Sequence, residues 1–311
     1  EMGEHPNLLI IMCDQLSPGV LGCYGGPVPT PNLDALARDG VIFTNATCPT
    51  PICSPSRASL ITGLYPHTHG IVYNVNRPDY PAISPKIDFP PDSYLQMLKY
   101  CLSYADLEHL FITHTHQDHL YALDLRMRAS PFSLTDLEEL YIYGNRTVYQ
   151  GIKQRVGDLD KSKLVVKAVE PFASFRAGEL EVTPILANHD PKEVCLNYIF
   201  QFEGKTLLQG FDTGWYPERT WERLADYRFD MVIMDCTSGG VEKDIHPQGH
   251  LGVKSLIEVK KRMEKMGILA PDCRFIATHF SRGGGLLHHE LEERLKPWGI
   301  EVAYDGMEVE I

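Results

Sequence analysis

"FITHTHQDHL", residues 111–120, packs three histidines and an aspartate into six positions directly after an apolar run. An apolar segment that breaks into polar residues reads as a buried strand delivering side chains at its end. His114 and His116 lie two apart, so their imidazoles share a side while the backbone stays extended. Asp118 and His119 fall in the turn just beyond. Imidazole and carboxylate are the ligands preferred by zinc and similar divalent metals. Three further donors stand at the ends of later apolar segments: His189 in "ANHD", Asp212 in "GFDTG" and His279 in "ATHFS". A chance cluster of surface histidines does not account for that recurrence.

Working outward, the same alternation continues. "DSYLQMLKYCL" reads as a helix and "HLFITH" as a buried strand. "DLEELYIYG", "KLVVKAVE", "LEVTPILANHD", "CLNYIFQFEG" and "KTLLQGFDTG" read as strands. "WERLADY" is a helix, "FDMVIMDC" a strand, "LGVKSLIEVKKRMEKMG" a long amphipathic helix, "CRFIATHFS" a last core strand and "HHELEERLKPWG" a closing helix. Strands alternating with helices predict α/β layering. His246, His288 and His289 read as solvated histidines and His109 as a structural one.

A second unusual stretch lies upstream, "PICSPSRASLITG", residues 51–63. Around it, "NLLIIMCD" and "VIFTNATC" read as strands. "TPNLDALARDG" reads as a helix opened by Pro and closed by Gly, and "SPSRASLITGLYP" as a second helix. "YNVNRPDYPAISPK", residues 73–86, has three prolines and no periodicity, which marks a boundary. The expected junction lies at Ser84 to Lys86, giving segments 1–85 and 86–311.

The 311 residues leave room for a large core, and 43% hydrophobic with 23% charged residues describes an ordinary globular chain. A net charge of −12 argues against a nucleic-acid backbone as the main partner. It leaves open a small anionic substrate held by metal ions. No apolar run approaches the roughly 18–20 residues of a membrane span. The opening "EMGEHP" lacks an apolar signal segment, and the eight cysteines include no CxxC pair. Both features lead us to expect reduced thiols and a cytoplasmic location.

With its histidines, "KIDFPPD", "DCTSGG", "GHLG" and "THFSRGGG", the chain from about 86 to 311 resembles the metallo-β-lactamase-fold hydrolases. Within them it is most similar to the phosphoribosyl cyclic phosphodiesterase-like branch. The HxHxDH motif stands at His114, His116, Asp118 and His119, the third-motif histidine at His189, the bridging aspartate at Asp212 and the last histidine at His279. Asp88 matches the first-motif aspartate. The resemblance implies an αββα sandwich, here lacking its usual first strands. It implies two divalent ions, zinc foremost with manganese or iron admissible. One would sit on His114, His116 and His189, the other on Asp118, His119 and His279. Asp212 and a hydroxide would bridge them. Asp118 would orient the hydroxide that attacks a phosphodiester. His250 in "PQGHLG" is a candidate for protonating the leaving oxygen or contacting phosphate; a plain loop histidine is the equally open reading.

Residues 6 to about 83 resemble the N-terminal part of sulfatases, through "PNLLIIMCDQL", "LGCYG", "TPNLDALARDGVIFTNA" and "CSPSRASLITGLYPHTHG". That family converts a cysteine to formylglycine. Cys53 matches it, Arg57 its supporting arginine and Asp14 a metal-ligand aspartate, while Gln15 stands where many sulfatases have a second aspartate. Nothing after residue 85 resembles the remainder of a sulfatase. The expected architecture is therefore chimera-like: a sulfatase-like α/β fragment, with its motif expected inactive, before a metal-dependent hydrolase. The rival readings are a formylglycine-dependent sulfatase or phosphonate ester hydrolase centred on Cys53, and a catalytically inert metal-binding chimera.

Overall fold

The computed structural model describes residues 18–44, 56, 59, 85–100, 102–129, 133 and 137–311. The chain divides into two compact units, Glu1–Pro78 and Asp79–Ile311. In the first, two short 3-10 turns precede helix α1 (Pro31–Asp39). Pro31 starts it, where the missing N–H costs nothing, and Gly40 closes it. Residues 41–44, expected to begin a strand, form none. Val41 and Phe43 are 78% and 71% exposed, so no sheet face covers the alternating apolar side chains that suggested it. The expected strand "NLLIIMCD" lies outside the described residues, as does most of the expected helix "SPSRASLITGLYP".

The second unit opens with β1 (Lys86–Ile87), helix α2 (Ser93–Lys99) and β2 (His109–Phe111). Then come β3 (Leu140–Gly144), helix α3 (Arg146–Val156) and β4 (Leu164–Ala168). These four strands form one all-parallel sheet in the order β1-β2-β3-β4. Helix α3 was not foreseen. Asn145 caps it by accepting from Val148 N–H, and Val148, Ile152 and Val156 form its buried stripe.

The larger sheet takes β5 (Phe175–Ala177), β6 (Leu180–Leu186), β7 (Leu196–Phe202), β8 (Lys205–Gly210) and β9 (Phe229–Asp235). It is completed by β10 (Leu269–Thr278) and β11 (Glu301–Val302), in the order β11-β10-β9-β8-β7-β6-β5. Helices α4 (Glu218–Leu224), α5 (Val253–Met266) and α6 (His288–Leu295) fall between its strands.

Period-two alternation sorts the core into layers. Leu196, Tyr198 and Phe200 of β7 pack with Phe111 and Tyr143 of the smaller sheet. Ile199, between them, joins the other cluster, with Trp221 and Leu224 of α4, Leu256, Val259 and Met263 of α5, and Leu291 and Leu295 of α6. The result is two facing sheets with helices outside, the expected αββα sandwich. Truncating a ring as buried as Phe111 in such a core costs about 3–5 kcal/mol.

This topology positions the site. β6 and β8 both run antiparallel to β7, and β9 and β10 run parallel to β8. Four strands therefore end at one edge, where loops gather polar side chains. No helix among the described residues is long and apolar enough to cross a membrane.

Candidate metal centre

Most polar side chains of the site leave the end of a strand. β2 leads into residues 113–119, β6 into His189, β8 into Asp212, β9 ends on Asp235 and β10 leads into His279. Asp88, Asp212 and His279 take positive φ angles of 56°, 43° and 60°. Such backbone is costly for residues with a side chain and gathers where a site requires it. Here it turns the chain sharply enough to aim each carboxylate or imidazole back over the sheets.

The polar atoms around His114 and His189 set which of their ring nitrogens are bare. His114 Nδ1 lies 2.9 Å from Thr113 Oγ1. That hydroxyl is 3.0 Å from both Asp88 oxygens, and a carboxylate only accepts. Thr113 therefore donates to Asp88 and accepts from His114 Nδ1–H, leaving His114 Nε2 with its lone pair. That Nε2 is buried and has no hydrogen-bond partner. Burial and the neighbouring charge of His119 push the His114 imidazole down to about 2, so it stays neutral. His189 Nδ1 faces the Gly249 carbonyl at 3.1 Å, which also only accepts, so its Nε2 is bare. His189 Nε2 in turn points at His116 Nδ1, 3.2 Å away. The three histidines offer ligand atoms within 4.8 Å of one another. A buried acceptor left unpaired, as His114 Nε2 is, costs about 1–3 kcal/mol. A divalent cation satisfies the three ligand atoms together, so the residues fit the group.

Beside them, His119 is held between two carboxylates, Nδ1 2.6 Å from Asp88 and Nε2 2.5 Å from Asp212. Burial opposes charging His119, but the close Asp212 carboxylate and the hydrogen-bonded Asp88 outweigh it and push the imidazole up to about 10. Burial would likewise raise Asp212; the close ion pair with His119 and the nearby His279 instead hold its carboxyl far below the usual range. Without an ion, one imidazolium thus supplies the positive charge these carboxylates demand.

Asp212 is 3% exposed and divides its oxygens. Oδ2 faces His119 and, at 3.5 Å, His114 Nε2. Oδ1 has no hydrogen-bond partner and faces His279 Nδ1 at 3.2 Å and His250 Nδ1 at 3.4 Å. Asp118 is largely exposed, with Oδ2 3.7 Å from His119 Nε2. Asp118, His119 and His279 form a further compact donor group, as do His114, His119 and Asp212. All seven residues expected as ligands are therefore gathered at one edge.

His250 joins them. Its Nδ1 lies 3.1 Å from Asp235 Oδ2. Burial lowers the His250 imidazole, but the Asp235 hydrogen bond and charge outweigh it, so the net shift is upward. Asp235 is fully buried and pinned by Leu251 N–H, Thr237 N–H and the Thr237 hydroxyl. Sequence reasoning passed over Asp235. Its signal was available: it closes an apolar run as His279 follows one, but no neighbouring histidine drew notice to it. A cleft of about 360 Å³ opens over His116, Asp118, Asp212, His250, His279 and Ser281. His246 packs against Trp215 and His109 lies against Tyr141 and Tyr143, away from the cluster. Asp14, Cys53 and Arg57 lie outside the described residues.

The Beta-lactamase superfamily domain family matches residues 91–280, more than half of the chain. The chain belongs to the β-lactamase superfamily. Its imidazole–carboxylate cluster is a set of donors that could hold divalent metal. Among solved structures, the metallo-β-lactamase fold protein YhfI from Bacillus subtilis aligns with a TM-score of 0.54 at 18% identity, covering 75% of this chain and 88% of that one. A diphosphatase from the PhnP family aligns with a TM-score of 0.54 at 21% identity, covering 72% and 79%. At such identities these likenesses show the fold. The Sulfatase family matches residues 6–99. An ulvan-active sulfatase of Formosa agariphila is 53% identical over 70 residues, 22% of this chain and 14% of that protein. The chain thus spans about a seventh of the length of that curated relative.

Proposed function

We propose that residues 86–311 form a dinuclear metal-dependent phosphodiesterase acting on a small anionic diester, and that residues 1–85 are a sulfatase-like fragment without its own catalysis. The observation that carries this reading is Asp212, one carboxylate whose two oxygens face different sets of donors. His114, His116 and His189 would hold one ion, Asp118, His119 and His279 the other, and Asp212 would be shared. When bound, two divalent cations supply Lewis acidity toward a phosphoryl oxygen and lower the pKa of a water. Zinc suits this imidazole-rich set best, with manganese or iron admissible.

The protein's own groups do the rest. Asp118, exposed at the cleft, accepts a hydrogen bond from the attacking water and orients it. His250 keeps Nδ1–H on Asp235, which leaves Nε2 to hand a proton to the leaving oxygen. The upward shift of His250 keeps that proton available nearer neutral pH. A cleft of about 360 Å³ suits a small ligand. The net charge of −12 disfavours a long polyanion. The PhnP-family protein described as a diphosphatase supports phosphate chemistry on this fold. The cysteines Cys23, Cys195, Cys236 and Cys273 are free, which supports a cytoplasmic location.

The rival reading, a formylglycine sulfatase at Cys53, draws on the 53% identity of the N-terminal segment to a sulfatase. One experiment separates them: assays on bis(p-nitrophenyl) phosphate and p-nitrophenyl sulfate, before chelation, after it, and after zinc or manganese is restored. Diester hydrolysis that is lost and then restored supports the proposal. Sulfate hydrolysis without diester hydrolysis overturns it.

A further inference from the structure

The loop after β6 delivers more than His189. Its ends are tied where Ala187 N–H donates to the Cys195 carbonyl at 3.0 Å. Within it, two carboxylates reach across to the histidine loop after β2. Asp190 Oδ2 lies 3.2 Å from His116 Nε2. Glu193 takes Thr115 N–H on one oxygen at 2.6 Å and the Thr115 hydroxyl on the other at 2.7 Å. Asp190 is itself fixed, because its Oδ1 accepts from Lys192 N–H at 2.8 Å.

We propose that Asp190 and Glu193 form a clasp that sets the ligand face of His116, with Asp190 a positioning residue for the ion held by His114, His116 and His189. The inference rests on the metal reading above and adds residues to it. His116 needs such a device more than its neighbours do. Its side chain is 43% exposed, whereas that of His114 is fully buried and cannot turn over. A half-exposed imidazole can flip about its outer bond and present either nitrogen. A carboxylate only accepts, so Asp190 places the proton on Nε2 and leaves the Nδ1 lone pair toward His189. A ligating histidine commonly gives its outer N–H to a carboxylate, and loss of that partner weakens metal binding about 10–100-fold. Glu193 holds the adjoining backbone, so the ring cannot drift out of Asp190's reach. Because Asp190 follows His189 directly, the turn that brings the third ligand also locks the second.

The test uses the full chain, stripped of metal and titrated with zinc against a chromophoric chelator. Wild type is expected to take two ions. Asp190→Ala is expected to weaken one of them about 10–100-fold and leave the other unchanged. Asp190→Asn is expected to lose less, since its amide oxygen still accepts the Nε2–H. Glu193→Gln is expected to weaken the same ion by a smaller factor. Nitrogen NMR of the zinc-loaded wild type should show His116 protonated on Nε2 and metal-bound through Nδ1, with that signature lost in Asp190→Ala. The inference is overturned if Asp190→Ala binds both ions as wild type does, or if NMR finds the metal on Nε2. It is also overturned if both ions weaken equally while the stripped protein's melting temperature falls, which is what a merely structural role would produce. Wild type binding no zinc overturns the metal reading itself, and this inference with it.

Discussion

Helices α1 and α5 are both amphipathic, yet they end in opposite situations. Val253, Leu256, Val259 and Met263 of α5 are buried under the larger sheet. In α1, Leu33 and Leu36 remain 43% and 69% exposed, and no residue of the helix is buried. The contrast extends to the units that contain them. Among the described residues of the first unit none is buried, while the second encloses both core clusters. Pattern and capping are enough to form a helix; only facing layers turn its apolar stripe into stability. The proposed functions follow the same contrast. The first unit carries a sulfatase motif on about a seventh of a sulfatase's length. The second carries a motif whose partners arrive from five strand ends. A nucleophile acts only with its activating and charge-stabilising groups in place.

The comparison is broken most sharply at Asp212. Asp212→Ala removes the carboxylate placed between both donor groups, so turnover should fall by about 10³-fold or more, the scale of deleting a preorganised charge-stabilising group. Steady-state kinetics on bis(p-nitrophenyl) phosphate checks this. Near-wild-type turnover would place the chemistry elsewhere. His250→Ala comes next. Loss of a positioned acid should cost about 10²–10⁴-fold with a poor alkoxide leaving group. With a nitrophenoxide, which leaves without help, the loss should be small. Asp235→Asn should follow the same leaving-group pattern with a smaller loss, because it keeps the side chain's shape and removes the charge behind His250.

Much of this was legible in the sequence for one physical reason. Side chains that leave strand ends sit where an apolar run stops, so His114, His189, Asp212 and His279 announced themselves by position. Strands β6 to β10 of the larger sheet were legible because buried faces make long apolar runs; β5 and β11, only three and two residues long, left no such run and were missed. Asp235 ends such a run too, but a lone acid reads as an ordinary strand terminus until His250 is folded against it. Helix α3 was missed because its buried positions, Val148, Ile152 and Val156, are separated by polar residues such as Gln150, Lys153 and Arg155. The strand expected over 41–48 fails over its described part, residues 41–44, for the opposite reason. Alternating Val41 and Phe43 matched a strand, but no sheet partners residues 41–44. Asp190 and Glu193 carry no local signal, since their partners lie 74 and 78 residues away.

Two smaller effects sharpen the contrast. In the metal-free protein His119 is held charged up to about 10. Its folded value is raised, so the stabilisation from its carboxylate pair is full below the ordinary histidine pKa and fades as pH rises through about 10. A ligand must be neutral, so zinc uptake near pH 8 should release about one proton from His119. Calorimetric titrations in buffers of different ionisation enthalpy count that proton, and the count should drop in His119→Ala. No release would contradict the charged state derived for His119. At the far end lies Cys53→Ala. Diester turnover should stay within about threefold of wild type, less than about 1 kcal/mol in barrier, when compared per folded molecule after a melt. Loss of turnover in Cys53→Ala with turnover kept in His116→Ala would reverse the roles of the two units.

The most direct measurement is the metal content of the folded chain. Protein expressed in metal-replete medium and freed of loose ions by gel filtration is analysed for zinc, manganese and iron, beside His114→Ala and Cys53→Ala. The account predicts about two divalent ions per chain in wild type and in Cys53→Ala, and a clear loss in His114→Ala. Wild type carrying none, or His114→Ala keeping both, would contradict it.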